Sequence, residues 1–142
     1  MAAVSRADAN WEGDLFHGGG RVRPASGAFA ELPVTWAGRA ERSEGATSPE
    51  ELIAAAHAAC YSMAFSNGLG KAGFEDIKLS TSAEVTFVPG QGITSITLHV
   101  RGNAKGIAEE KFVVLATEAK DGCPVSQALK GNVELKLDAA LS

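Results

Sequence analysis

One segment, from Ser48 to Gly73, constrains the fold of this chain more than any other. It reads S-P-E-E-L-I-A-A-A-H-A-A-C-Y-S-M-A-F-S-N-G-L-G-K-A-G, opening with a capping residue, a proline and two glutamates. Proline suits the first helical position, and glutamates favour the positive end of the helix dipole. The second glutamate also stands where a capping box with Ser48 requires it. We therefore predict one long helix, which Gly73 terminates unless glycines 68 and 70 end it earlier.

Cys60 lies near the middle of this predicted helix, among the alanines at positions 54–56, 58 and 59. At about 100° per residue, the helix face that carries Cys60 is mainly apolar, so we expect the thiol to be buried. Small side chains also allow a second helix backbone to approach closely. From the helix alone, the favoured interpretation is a structural thiol, because free cysteine is among the most buried residue types.

The bulk composition excludes several classes of function. A chain of 142 residues predicts one domain, residues 1–142, and its 45% hydrophobic and 21% charged content is typical of soluble globular proteins. A net charge of -4 without a Lys/Arg cluster argues against nucleic acid. No apolar run reaches the roughly 18 residues of a membrane span, and no signal-peptide core is present. We expect a cytoplasmic protein, in which the two cysteines are free thiols or a redox pair.

The order of the predicted elements indicates an α+β fold with a mostly antiparallel sheet, because strands and helices do not alternate. A turn at glycines 18–20 and a polar loop over Arg39–Ala46 connect the early elements. The predicted elements are strands at Ala7–Glu12, Arg21–Arg23 and Pro33–Trp36, the long helix, a hairpin of Asp76–Val88 and Ile93–Val100, a helix at Gly106–Lys120, a short helix from Pro124, and a strand at Asn132–Leu137.

The second cysteine, Cys123, directly precedes Pro124 and so stands at a predicted helix start. Backbone N–H groups and the helix dipole favour a thiolate there, which makes Cys123 the more acidic thiol on local grounds. Cys60 receives no such help, so its reactivity requires a cation from elsewhere, and Arg39 is a candidate. His57 and His99 have no partner at metal-ligand spacing and receive no role.

These residues carry a resemblance. The run S-P-E-E-L-I-A-A-A-H-A-A-C, the later G-C-P-V-S-Q and the early N-W-E-G-D resemble the osmotically inducible protein C (OsmC) and organic hydroperoxide resistance family of thiol peroxidases. The match covers nearly the whole chain and looks closer to the osmotically inducible branch. The resemblance implies an OsmC-like α+β fold, with antiparallel sheets packed around a long central helix in an intertwined homodimer.

The resemblance also implies roles for four residues. Cys60 matches the peroxidatic cysteine, which becomes a sulfenic acid, and Cys123 matches the resolving cysteine, which closes a disulfide onto it. Glu50 matches the glutamate that orients the active-site arginine, and Arg39 matches that arginine. Because the following loop is one residue longer than the common spacing, Arg42 is the alternative.

Helix geometry gives a reason to expect a dimer. Ten residues of straight helix separate Glu50 from Cys60, a rise of about 15 Å. If both serve one reaction centre, either Glu50 comes from a partner subunit or the helix is not straight. Two helices packed through their alanine faces in a symmetric dimer satisfy both conditions.

The leading hypothesis is a peroxidase that reduces organic hydroperoxides better than hydrogen peroxide and needs no metal or other cofactor. An external dithiol, typically of lipoyl type in the family that the chain resembles, regenerates the thiols. One alternative is a redox-sensing or small-molecule-binding module on the same scaffold, without turnover. Another is a pair of buried structural thiols.

Overall fold

The computed structural model describes residues 1–142 as six strands and four helices. The chain forms two compact units, Met1–Leu52 and Ile53–Ser142. The expectation of a single domain over 1–142 stays a prediction. In chain order the elements are β1 (Ala7–Glu12), β2 (Gly19–Pro24), β3 (Leu32–Val34), α1 (Trp36–Ala40), α2 (Pro49–Lys71), β4 (Lys78–Val88), β5 (Gly92–Asn103), α3 (Glu109–Gly122), α4 (Pro124–Leu129) and β6 (Glu134–Leu141).

The first unit contains an antiparallel sheet with the strand order β1-β2-β3. The predicted hairpin is confirmed, but its turn was placed wrongly, because Gly19 and Gly20 belong to β2. The turn lies before these two glycines. There the Asp14 carboxylate accepts hydrogen bonds of 3.0 and 2.9 Å from the backbone N–H groups of Phe16 and His17. Gly20 serves close packing, since a Cβ there would collide with the Asn10 carbonyl and lie 2.9 Å from the Trp11 ring.

A short helix, α1, replaces the end of a predicted strand and the start of a predicted loop. Trp36 begins this helix rather than ending β3, and Arg39 lies in its last turn rather than in an irregular connection. The Thr35 hydroxyl caps the helix by accepting a 2.9 Å bond from the Gly38 N–H. Five residues are too few to show a helical hydrophobic period, which is why the pattern did not reveal α1.

The long helix α2 is confirmed from Pro49 to Lys71. The Ser48 hydroxyl accepts a 3.0 Å bond from the Glu51 N–H, as in a capping box. The Glu51 carboxylate, however, accepts a 2.7 Å bond from the Thr47 hydroxyl. Glycines 68 and 70 do not end the helix, and the chain leaves it through Gly73 in the left-handed region, at φ 90°.

The second unit contains the sheet β4-β5-β6, in which β4 and β5 are antiparallel while β5 and β6 are parallel. The parallel pair follows from the connection, because α3 and α4 lie between β5 and β6 in the chain. The predicted α+β class is confirmed. Core side chains from α2, β5 and α3 pack together, among them Tyr61, Phe65, Leu69, Leu98, Val100, Phe112 and Leu115.

Candidate thiol site

Cys60 lies at the midpoint of α2 and packs against the core of the second unit. The apolar face of the helix predicted a buried thiol, but the Cys60 thiol is only half-buried. Its neighbour Tyr61 takes the fully buried position instead. Since the helix turns by about 100° per residue, Cys60 stands at the margin of the buried face.

Cys123 lies at the junction of two helices. Its backbone N–H closes α3 by a 2.9 Å bond to the Ala119 carbonyl, and the same residue is the N-cap of α4 with Pro124 first. The predicted placement at a helix start is confirmed. The side chain is fully buried, so solvent does not reach this sulfur directly.

The two thiols meet within the second unit, although 63 positions separate them in the sequence. The Cys60 thiol lies near the Cys123 thiol and the Val125 N–H, and both neighbours influence its pKa. Burial, the strongest influence, raises the pKa of Cys60, and the neighbouring Cys123 thiol raises it further. The Val125 N–H opposes both by stabilising negative charge on sulfur. Both cysteines are free thiols.

Two further side chains of α2 bind the helices on either side of Cys123. The Tyr61 hydroxyl donates a 2.9 Å bond to the Ala116 carbonyl of α3. Burial, with a smaller contribution from Cys123, raises the pKa of Tyr61 well above its usual value, so the phenol stays protonated and remains a donor.

On the other side, Nε2 of His57 forms a 2.8 Å hydrogen bond with the Ser126 hydroxyl of α4. Both residues are buried, and burial lowers the pKa of His57. The sequence predicted no role for His57, because His57 has no second residue at metal-ligand spacing. A signal was present, since His57 lies three residues before Cys60 and Ser126 three residues after Cys123.

The first unit contains the predicted pair of Arg39 and Glu50. Nε and Nη2 of Arg39 donate 3.0 and 2.8 Å bonds to Oε1 of Glu50, and Nε is also 3.3 Å from Oε2. Only 5% of Glu50 is exposed, whereas about a third of the Arg39 side chain remains exposed. Arg42 instead bonds the Gly38 carbonyl and lies 3.1 Å from Glu51. Arg39 is thus the partner of Glu50, while the catalytic role of either arginine stays a prediction.

A further cluster of polar side chains surrounds His99. His99 lies 3.2 Å from Asp138 and 3.3 Å from Glu84 on the β4-β5-β6 sheet. No group of three or more His, Cys, Asp or Glu side chains is arranged to hold a metal ion. None of the helices is both long enough and apolar enough to cross a membrane.

Comparison with known proteins gives consistent matches. A family model described as OsmC-like protein matches residues 42–138. The chain is 42% identical over 138 residues to peroxiredoxin OsmC of Escherichia coli (strain K12), covering 95% of this chain and 96% of that protein. It is 32% identical over 124 residues to the organic hydroperoxide resistance protein OhrA of Bacillus subtilis (strain 168), covering 82% and 84%.

Solved structures agree in fold. The crystal structure of the organic hydroperoxide resistance protein OhrB of Bacillus subtilis matches with a TM-score of 0.68 and 25% identity, covering 94% of this chain and 97% of that one. The identity to the OsmC protein exceeds the identity to the hydroperoxide resistance protein OhrA. This difference confirms the preference for the osmotically inducible branch that the motifs indicated.

Proposed function

Because this chain belongs to the OsmC-like protein family, we propose that it is a thiol-dependent peroxidase that reduces organic hydroperoxides, and hydrogen peroxide less well. The observation that carries the proposal is the proximity of the Cys60 and Cys123 thiols in the core of the second unit. Two free thiols held together at a helix junction suit a cycle that passes through a disulfide.

The first step belongs to Cys60, the more accessible of the two sulfurs. Its thiolate attacks the terminal oxygen of the hydroperoxide, so an S–O bond forms and the O–O bond breaks. The leaving alkoxide takes up a proton and departs as an alcohol, and Cys60 becomes a sulfenic acid. The apolar packing beside Cys60 favours a peroxide with an alkyl body.

The second step joins the two cysteines. The Cys123 sulfur attacks the Cys60 sulfur, so the S–S bond forms while the S–O bond breaks. Hydroxide leaves with the Cys123 proton as water. An external dithiol, for which a lipoyl-type compound is our candidate, then reduces the disulfide by thiol exchange and is itself oxidised. The cytoplasm, where such reductants keep thiols reduced, is the proposed location.

The thiol site by itself does not favour the Cys60 thiolate, because burial raises the pKa of Cys60. We propose that Arg39, oriented by Glu50, stabilises the thiolate and polarises the peroxide. Glu50 precedes Cys60 by ten positions of α2, a rise of about 15 Å, so we assign the arginine at each Cys60 to a second copy of the chain. The exposed small side chains of α2, Ala55, Ala56 and Ala59, suit close packing in such a homodimer.

The test is consumption of cumene hydroperoxide with dithiothreitol or dihydrolipoamide as the reductant. Wild type is expected to turn over many equivalents of peroxide, and Cys60→Ser none. Cys123→Ser is expected to form a sulfenic acid without an intramolecular disulfide. Full activity in Cys60→Ser would refute the assignment.

A redox sensor without turnover is the second candidate, and the placement of a half-buried Cys60 near a second free thiol is the observation that favours it. A sensor would lose its free thiols in proportion to added peroxide and then stop. Sustained consumption in the presence of the dithiol excludes this candidate.

A further inference from the structure

Helix α2 contacts the α3–α4 junction at three successive places. His57 bonds Ser126 of α4, Cys60 lies near Cys123, and Tyr61 bonds the Ala116 carbonyl of α3. The junction that carries Cys123 is therefore attached to α2 on both of its sides. Of these three places, only the pair of thiols takes part in the cycle described above. The bond between His57 and Ser126 is the one that reaches α4, the helix that Cys123 begins.

The two contacts between α2 and the α4 segment are in register. His57 and Cys60 are three residues apart on α2, and Cys123 and Ser126 are three residues apart at the start of α4. Residues with this spacing lie on the same side of a helix, about one turn apart. The pair of His57 and Ser126 therefore lies one turn away from the pair of thiols.

The hydrogen bond between His57 and Ser126 is buried, so its loss would leave both side chains without a polar partner. His57 is fully buried and Ser126 is 3% exposed, so water does not replace either partner readily. Nδ1 of His57 has no hydrogen-bond partner, which leaves the bond to Ser126 as the single polar contact of this ring. Helix α4 has only six residues, too few to be stable without tertiary contacts.

We propose that His57 and Ser126 are positioning residues that hold α4 against α2, so that Cys123 meets the Cys60 sulfenic acid as soon as it forms. This inference rests on the proposed peroxidase function and concerns its resolving step. Without the hydrogen bond, α4 moves away from α2 more often and carries Cys123 with it. The sulfenic acid then persists and reacts with a second peroxide to give sulfinic acid.

The experiment measures the two oxidation steps separately on the full-length protein. Stopped-flow mixing with cumene hydroperoxide follows sulfenic acid formation, and acid quenching with mass spectrometry follows the disulfide and the sulfinic acid. Ser126→Ala is expected to form sulfenic acid within about twofold of the wild-type rate and to form the disulfide about tenfold more slowly, the size expected of one buried hydrogen bond. More sulfinic acid should accumulate at each turnover. Ser126→Thr, which keeps the hydroxyl, should resolve at close to the wild-type rate.

Ser62→Ala is the matched control. The partly buried Ser62 hydroxyl makes 2.8 Å bonds to Thr81 of β4 and to the Ala58 carbonyl of the same helix, so this variant loses serine hydrogen bonds of α2 that do not involve α4. It is expected to leave disulfide formation unchanged. If Ser62→Ala slows resolution as much as Ser126→Ala does, a general loss of stability explains the effect and the proposal is wrong.

A second pair of variants tests His57, which bonds the Ser126 hydroxyl. His57→Gln places an amide near the position of Nε2, whereas the shorter side chain in His57→Asn ends near the position of Nδ1. We expect Asn to slow disulfide formation and Gln to retain it. The double variant His57→Asn/Ser126→Ala should resolve no more slowly than the slower single variant. These variants also decide the question if Ser126→Ala does not fold.

The outcomes separate the two proposals. Normal disulfide formation in both Ser126→Ala and His57→Asn overturns the positioning role and leaves the peroxidase function intact. Absence of any peroxide-dependent sulfenic acid in the wild type overturns the proposed function, and the positioning role with it.

Discussion

The start of α2 and its middle carry opposite kinds of chemistry. At the start, Glu50 is held in a bidentate ion pair with Arg39, and Glu51 lies 3.1 Å from Arg42. In the middle, Cys60 lies near another thiol, and burial raises the pKa of Cys60. The start of α2 therefore carries paired charges, whereas the surroundings of Cys60 in its middle disfavour a negative charge on the sulfur.

This difference identifies what the thiol site of the second unit lacks. Peroxide attack requires a thiolate, and in the thiol site the Val125 N–H does not outweigh burial and the neighbouring Cys123. The proposed activity therefore depends on a cation that reaches Cys60 from outside this site. A second copy of the chain, bringing its Arg39, is the proposed source.

The largest expected effect comes from removing that cation. Arg39→Gln should lower kcat/KM for cumene hydroperoxide by about 10²- to 10³-fold, as expected when one preorganised electrostatic contact is lost. The thiolate titration of Cys60, followed by ultraviolet absorbance, should shift to higher pH in this variant. An unchanged titration would show that the ion pair at the start of α2 does not serve the thiol.

Mixing two inactive variants tests whether the cation comes from the partner. Arg39→Gln and Cys60→Ser are each expected to be inactive, but a dimer that contains one copy of each has one complete site. Random exchange at equal amounts should restore about a quarter of the wild-type activity. No recovery after confirmed subunit exchange would place Arg39 and Cys60 of one site on the same chain.

The next effect concerns the thiol region and depends on pH. Burial lowers the pKa of His57 below its unfolded value, so below about pH 6.5 the unfolded chain binds more protons than the native one. Wild type should lose stability as the pH falls from 7.5 to 5.0, measured by urea unfolding, and His57→Gln should lose less. Carboxylates with lowered pKa, such as Asp138 beside Arg101, contribute equally to both proteins. Equal losses in the two proteins would contradict the burial of a neutral imidazole.

The smallest effect is expected at Arg42, the alternative arginine. Its ion pair with Glu51 is about half exposed on each side, and exposed pairs contribute roughly 0–1 kcal/mol. Arg42→Gln should therefore change the free energy of unfolding by less than about 1 kcal/mol and leave kcat/KM within about twofold. A loss of activity as large as that of Arg39→Gln would reverse the assignment of the two arginines.

Much of the fold was predictable where a long periodic segment met clear end signals. The bounds of α2 followed from Ser48, Pro49 and Gly73, because capping and backbone conformation are local properties. The hairpin of β4 and β5 followed from two strand-like runs, and the alternating residues Ile96, Leu98 and Val100 of β5 are fully buried. The short helix α1 did not follow, because its cap, Thr35, precedes too few residues to display a period.

The sequence by itself determined the two thiols, the helix start beside Cys123, and the arginine and glutamate that its motifs share with a known family. These are local or compositional properties, carried by neighbouring residues. Only the tertiary structure decided that Arg39 rather than Arg42 binds Glu50, that Cys60 is half-buried, and that His57 bonds Ser126. The ion pair depends on how α1 folds back against the start of α2, and the other two depend on how segments far apart in the chain pack together. A hydrogen bond between residues 69 positions apart leaves no periodic trace in the sequence, because burial and distance are set only when the helices meet.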